Sequence, residues 1–236
     1  MVAPWRGRVG HGFVAVAYIL LAACAGPQST LAPAGPAARI AANLWWGMFI
    51  VSAVVLLVIV GLWLYALYRT PCDHDAVTLR RIGQRWIIGG GIILPSVSVA
   101  VLLAFGIPLG HRMLPLPLPG DQPLRIDVMA HQWRWEVRYP DHGIVTNDRL
   151  VIPAGRAIDF HVGSADVIHS FWVPRLGGKI DALPGRTNVL RLRADQPGEY
   201  RGQCAEFCGA EHAHMVFVVE ALDAAVFEDW VKTRKP

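Results

Sequence analysis

Charge is what this chain has least of. Only 17% of its 236 residues are Asp, Glu, Lys or Arg, against about 25% in an average soluble domain. Acidic residues are nearly missing from the first 111 positions, which hold seven arginines but only Asp73 and Asp75. Cysteine is scarce as well, at four residues. A low charge content with 53% hydrophobic residues excludes a disordered chain. So few cysteines exclude a disulfide-dense mini-protein. The sequence contains no Cys-x-x-Cys-His, so it carries no attachment site for a c-type haem of its own.

The apolar residues are concentrated rather than spread. The formal charge of +4 comes from the apolar first half, because residues 112–236 hold 15 basic and 16 acidic residues. The positive charge is therefore membrane-topology charge and no argument for nucleic-acid binding. Residues 112–236 are enough to build one neutral globular domain with its own core.

Three apolar stretches lie in the first half. Residues 12–23 follow Arg6, Arg8 and His11 and end in Leu21-Ala22-Ala23-Cys24. A basic start, a short apolar run and small residues before a cut predict a signal peptide over residues 1–23 rather than a span. The ending resembles a bacterial lipobox, which makes Cys24 a lipidation candidate. Residues 24–42, rich in Pro, Gly and Ala, read as a flexible tether. Residues 43–107 read as a two-helix transmembrane hairpin. Its first span, residues 44–68, has Trp45, Trp46, Trp63, Tyr65 and Tyr68 near its ends. Its second, residues 86–107, contains Gly89-Gly90-Gly91 and Pro95, which predict a kink or close approach by a partner helix. The loop at 69–85 holds Arg69, Arg80, Arg81 and Arg85 and is therefore expected on the cytoplasmic side. Residues 108–236 then lie outside.

From Leu124 the pattern alternates. Ile126, Val128 and Ala130, then Ile158, Phe160 and Val162, then Leu190 and Leu192, are separated by polar residues, and 216–219 is a further strand candidate. Pro-Gly and Asp-His-Gly turns punctuate these runs, as in a β-sandwich. Asp223 is placed to cap a short helix over residues 224–232, with Val226, Phe227 and Trp230 at helical spacing.

Cys204, Cys208, His212 and Met215 fall within 12 residues, and His169 lies on an earlier strand candidate. Three readings compete. A Cys204–Cys208 disulfide uses neither His212 nor Met215. A Cys2His2 zinc site leaves Met215 without a role. Copper suits thiolate, imidazole and thioether together. Two thiolates can bridge two coppers, each taking one histidine, and an electron shared across both ions suits a relay rather than bond-making.

The run Cys-x-Glu-x-Cys-x3-His-x2-Met, with His169-Ser170-Phe171-Trp172 upstream, resembles the dinuclear CuA site of cytochrome c oxidase subunit II. The likeness extends over nearly the whole chain. It implies a cupredoxin-like Greek-key β-sandwich anchored by the helical hairpin, in a bacterial inner membrane with the copper domain on the periplasmic side. By position it implies two copper ions bridged by Cys204 and Cys208. His169 and His212 each bind one ion; Met215 is a weak ligand to one, and the Glu206 carbonyl to the other. The Glu206 side chain is expected to reach a magnesium or manganese ion shared with subunit I. Asp181 and Arg186, in a run resembling the subunit I interface, are expected beside it. His214 is a surface histidine, not a ligand. His131-Gln132-Trp133-Arg134-Trp135 resembles the aromatic segment whose first tryptophan, here Trp133, receives the electron from a c-type cytochrome; in a regular strand both tryptophans share a face. The implied function is electron input to an oxygen-reducing, proton-translocating complex with subunits I and III. The rivals are a quinol-oxidase subunit II, which lacks copper ligands, and an anchored copper-assembly module.

Two features depart from the family. No acidic residue stands at the start of the second span. Docking of basic cytochromes in the family usually uses acidic residues near the copper, whereas here Arg134 and Arg138 stand in the aromatic segment and the domain is nearly neutral, leaving Asp141, Asp148, Asp159 and Asp166 as candidates for steering a donor.

Overall fold

A computed structural model describes residues 26–69, 75–117 and 122–234. The expected signal peptide, Cys24 and Cys72 lie outside these. The chain divides into two units, one of residues 43–114 and one of residues 1–42 with 115–236.

The first unit is helical. Helix α1 spans Pro36–Tyr68 and extends eight residues upstream of the expected span. Helix α2 spans Ala76–Trp86, a π-helical stretch covers Ile87–Ile93, and α3 spans Leu94–His111. Together they make a continuous helix of 36 residues, and both it and α1 are long and apolar enough to cross a membrane. Most of the expected loop at 69–85 is therefore helix. Asp75 caps it, its carboxylate accepting from the Thr78 N–H at 3.3 Å. The Gly89-Gly90-Gly91 run widens the helix into π geometry instead of ending it. Pro95 lies inside this continuous helix, just after the π-helical stretch, and has no N–H to donate to the preceding turn.

Among the described residues, the second unit contains ten strands in two five-stranded sheets. One has the order β3 (Ile144–Asn147), β2 (Arg134–Tyr139), β1 (Leu124–His131), β5 (Ile158–Ser164), β8 (Asn188–Leu192). The other runs β4 (Arg149–Pro153), β10 (Val216–Leu222), β9 (Gly198–Cys204), β6 (His169–Trp172), β7 (Ile180–Ala182). The β1–β5 and β4–β10 pairs are parallel and the others antiparallel. The fold is the expected cupredoxin-like sandwich. Alternation along β1 sends Ile126, Val128 and Ala130 inward, and β5 does the same with Ile158, Phe160 and Val162. Trp135 is fully buried where the sheets meet, its ring 5.6 Å from Phe171, 5.3 Å from Phe217 and 6.1 Å from His169. Helix α4, Ala224–Arg234, buries Phe227 and Val231 and packs Trp230 against the core, as expected for Phe227 and Trp230, whereas Val226 is exposed.

Two further expectations are corrected. Trp133 and Trp135 do not share a face, because β1 ends at His131 and β2 starts at Arg134, leaving Trp133 in the turn between them. The tether is docked over its described part. The Ala34 N–H donates to the Arg175 carbonyl (2.7 Å), and the Asp195 N–H donates to the Ala34 carbonyl (2.9 Å). The Ala38 N–H bonds Leu176, Arg39 pairs with Asp195 at 2.5 Å, and Gln28 donates to Gln203 at 2.8 Å. A Pro- and Gly-rich composition licenses flexibility only while backbone groups face water; here they have partners.

Gly35 is the tightest point of this strap. A Cβ there would stand 2.3 Å from the Arg193 carbonyl and 3.0 Å from that of Leu176, both backbone atoms. Gly35→Ala is expected to unseat residues 32–39, destabilising the β domain by about 1–3 kcal/mol. Hydrogen exchange should then accelerate at the Ala38 and Asp195 amides. Unchanged protection there would show that the strap is not held at this point.

Candidate metal centre

The two ends of the 205–215 loop are tied together. The Cys204 N–H donates to the Met215 carbonyl at 2.9 Å, and the Ala205 N–H donates to Ser170 at 2.9 Å. Because β9 ends at Cys204 and β10 begins at Val216, this closure sets Cys204 beside Met215. The β6–β9 register, pairing Phe171 with Cys204, brings His169 to the same end. A 3-10 turn at His212–His214 folds His212 back over the loop.

The donors form a continuous cluster. His169 Nδ1 is 3.8 Å from Cys204 Sγ, which is 3.8 Å from Cys208 Sγ, which is 3.5 Å from His212 Nδ1. The Glu206 carbonyl oxygen lies 3.2 Å from Cys204 Sγ, and Met215 Sδ lies 3.7 Å from Cys208 Sγ. The two thiols are free, and each has one imidazole and one weaker donor beside it. His169, Cys204, Cys208 and Met215 are buried. A single tetrahedral ion of the zinc type uses four of these six donors. The near-symmetrical set of two thiols, two imidazoles, a thioether and a carbonyl suits a pair of soft ions, so the residues present fit copper.

The electrostatics follow from burial and neighbours. Burial, and then the adjacent Cys204, push the Cys208 thiol up to about 12, so this thiol holds its proton. Burial acts to raise the Asp166 carboxyl, but hydrogen bonds from His169 and from the Gln132 and Val167 N–H groups outweigh it and bring it down to about 2. Asp166 Oδ1 is 2.8 Å from His169 Nε2, which leaves Nδ1 turned to the thiols.

The remaining expected residues are placed as follows. Trp133 is 38% exposed, and its indole covers Gly209, next to Cys208. The Glu206 side chain is about half exposed and lies 3.6 Å from Lys179 Nζ. Asp181, in β7, accepts from Ser170 Oγ at 3.0 Å, and exposed Arg186 follows the Pro184-Gly185 turn. His214 is exposed and faces Glu211 at 3.0 Å. Sequence reasoning missed Gln132 and the role of Asp166. The Asp-x-x-His spacing before His169 was the available signal for Asp166. Three carboxylates taken as steering candidates are engaged within the domain: Asp166 as above, Asp159 with Arg191, and Asp148 with the Trp135 N–H at 2.7 Å. Asp148 also adopts a left-handed backbone, φ 55°, at the bend between β3 and β4.

Residues 142–222 match the family described as cytochrome c oxidase subunit II, periplasmic domain. The chain is similar to cytochrome c oxidase subunit 2 of Alkalihalophilus pseudofirmus, with 34% identity over 91% of this chain and 65% of the relative. It is also 33% identical to a cytochrome bo(3) ubiquinol oxidase subunit 2 of Pseudomonas putida, over 78% of this chain and 58% of that one. The chain thus spans less than two thirds of the length of either relative. Among solved structures, the periplasmic domain of subunit II of cytochrome oxidase from Bradyrhizobium japonicum aligns with a TM-score of 0.47 and 33% identity, covering 50% of this chain and 97% of that one.

Because Cys208 holds its proton, copper binding must expel it. Copper uptake by the reduced chain should release protons and tighten as pH rises, measured by titration calorimetry in buffers of different ionisation enthalpy. Uptake that is independent of pH and buffer would show the thiols already ionised.

Proposed function

Since the chain belongs to the cytochrome c oxidase subunit II family, we propose that it is the electron-input subunit of a haem–copper oxidase. It takes electrons from a c-type cytochrome at a dinuclear CuA centre and passes them to haem in subunit I, where oxygen is reduced to water. The observation that carries this reading is the cluster of five sulfur and nitrogen donors and one carbonyl oxygen, with the Trp133 indole against the same loop.

Copper bound here supplies a one-electron store spread over two ions. Cys204, Cys208, His169, His212, Met215 and the Glu206 carbonyl would be the groups that hold the copper. This chain's residues keep water from the thiols, hold His169 through Asp166, and offer an exposed indole, Trp133, to the donor. Asp181, Arg186 and the Glu206 side chain remain at the surface, available to subunit I and to a magnesium or manganese ion held between the subunits.

The arrangement in the membrane is part of the same proposal. Both apolar helices span a bacterial inner membrane, the arginines of 69–85 stay in the cytoplasm, and the β domain faces the periplasm. A cleaved lipoprotein signal over 1–23, a lipid on Cys24, a contact with subunit III and a share in proton translocation complete it. The relative named for a ubiquinol oxidase makes quinol feeding the rival. A complete copper donor set supports cytochrome feeding instead, because a quinol-fed subunit has no need of it.

In the assembled oxidase, Trp133→Phe should retain copper and its paramagnetic resonance spectrum yet lower turnover with reduced cytochrome c by roughly tenfold or more. Unaltered turnover would remove Trp133 from the electron path. With Asp148, Asp159 and Asp166 engaged internally, the donor rate should fall only shallowly with added salt. A steep fall would point to an acidic docking face elsewhere.

A further inference from the structure

Gln132 touches the metal centre twice, in different ways. Its backbone N–H donates to Asp166 Oδ2 at 2.7 Å, and the other oxygen of that carboxylate lies 2.8 Å from His169 Nε2. Its side-chain Nε2 donates to the Cys208 carbonyl at 2.7 Å. One residue thus links the carboxylate that orients one donor histidine to the backbone of a donor cysteine. The next residue is Trp133.

Gly209 completes the arrangement. Its φ of +122° suits glycine, and a Cβ there would meet the Gln132 amide nitrogen at 3.1 Å and Trp133 Cζ2 at 3.2 Å. The absent side chain is what lets the amide and the indole both reach the ligand loop. Little else secures the indole. Trp135 is locked by rings on several sides, whereas Trp133 is 38% exposed and sits in a two-residue turn.

We infer that Gln132 is a positioning residue. It pins the turn from both sides and so sets the contact between the Trp133 indole and the loop carrying Cys208. This inference rests on the reading of Trp133 as the electron acceptor. Transfer through an aromatic side chain falls steeply with distance, so a small displacement of the indole is felt in rate before it is felt in stability.

The test uses the copper-loaded chain in its assembled oxidase, labelled with 5-fluorotryptophan. The Trp133 fluorine resonance is identified by its loss in Trp133→Phe. Gln132→Ala is expected to move that resonance toward the solvent-exposed position and leave those of the other tryptophans in place. The copper resonance spectrum should stay as in the parent, and electron uptake from reduced cytochrome c should slow by about tenfold. Gln132→Glu keeps the backbone bond to Asp166 but replaces the donor amide with an acceptor, and it should behave as Gln132→Ala does. An unmoved Trp133 resonance in both variants overturns the inference, as does a moved resonance with uptake at the parent rate. A changed copper spectrum also overturns it, since Gln132 would then act on the ligands and not on the indole. Parent-rate uptake in Trp133→Phe is a separate result: it removes the electron-acceptor reading, whereas the resonance comparison still reports whether Gln132 places the ring.

Discussion

The hydrogen bond from the Cys204 N–H to the Met215 carbonyl holds the loop on which the metal centre depends. It joins the last residue of β9 to the residue before β10 and forces the ten residues between them to close on themselves. Closure turns a linear spacing of cysteine, histidine and methionine into a cluster of atoms less than 4 Å from their neighbours. A loop tied only at one end would pay far more conformational entropy to gather the same donors. The antiparallel β9–β10 pairing behind it runs from Gln203–Val216 to Gly198–Ala221, so the closure is braced by a full ladder.

His169 enters from another strand and depends on a different support. Behind it stands Trp135, whose ring also packs on Phe171 and Phe217. Phe171 and Phe217 are themselves stacked at 4.6 Å. The aromatic core is therefore the floor of the metal centre, and close packing transmits its shape to the imidazole. Asp166 supplies the direction that packing alone does not, by holding Nε2 so that Nδ1 faces Cys204. Floor, carboxylate and closed loop together place buried thiols where a metal can replace their protons.

The strap at residues 28–39 extends the domain beyond the strands. Its bonds reach Arg175, Leu176, Asp195 and Gln203, the last next to Cys204. The strap, which includes the first residues of the first apolar helix, thus belongs to the same compact unit as the β domain. Composition pointed the other way, because Pro, Gly and Ala mark flexible linkers and docked straps alike. What separates the two is whether backbone groups find partners at a distance of well over a hundred residues, and no local pattern records that.

The sequence by itself determined the apolar helices, the inward residues of β1 and β5, and the spacing of the six candidate donors. Each of these depends on short-range periodicity or on side-chain chemistry at fixed spacing, which the chain carries in full. It did not determine that the second helix starts at Ala76, since a cap at Asp75 and continuity through a triple glycine are conformational outcomes. Nor did it separate Trp133 from Trp135. The same alternation puts both on one face of a strand, and only the turn after His131 exposes one and buries the other. The tertiary structure alone decided that Asp166, Asp159 and Asp148 bind inside the domain and that Gln132 spans two ligand segments. Those contacts join residues from different strands and loops, and their energies exist only once the two sheets have packed.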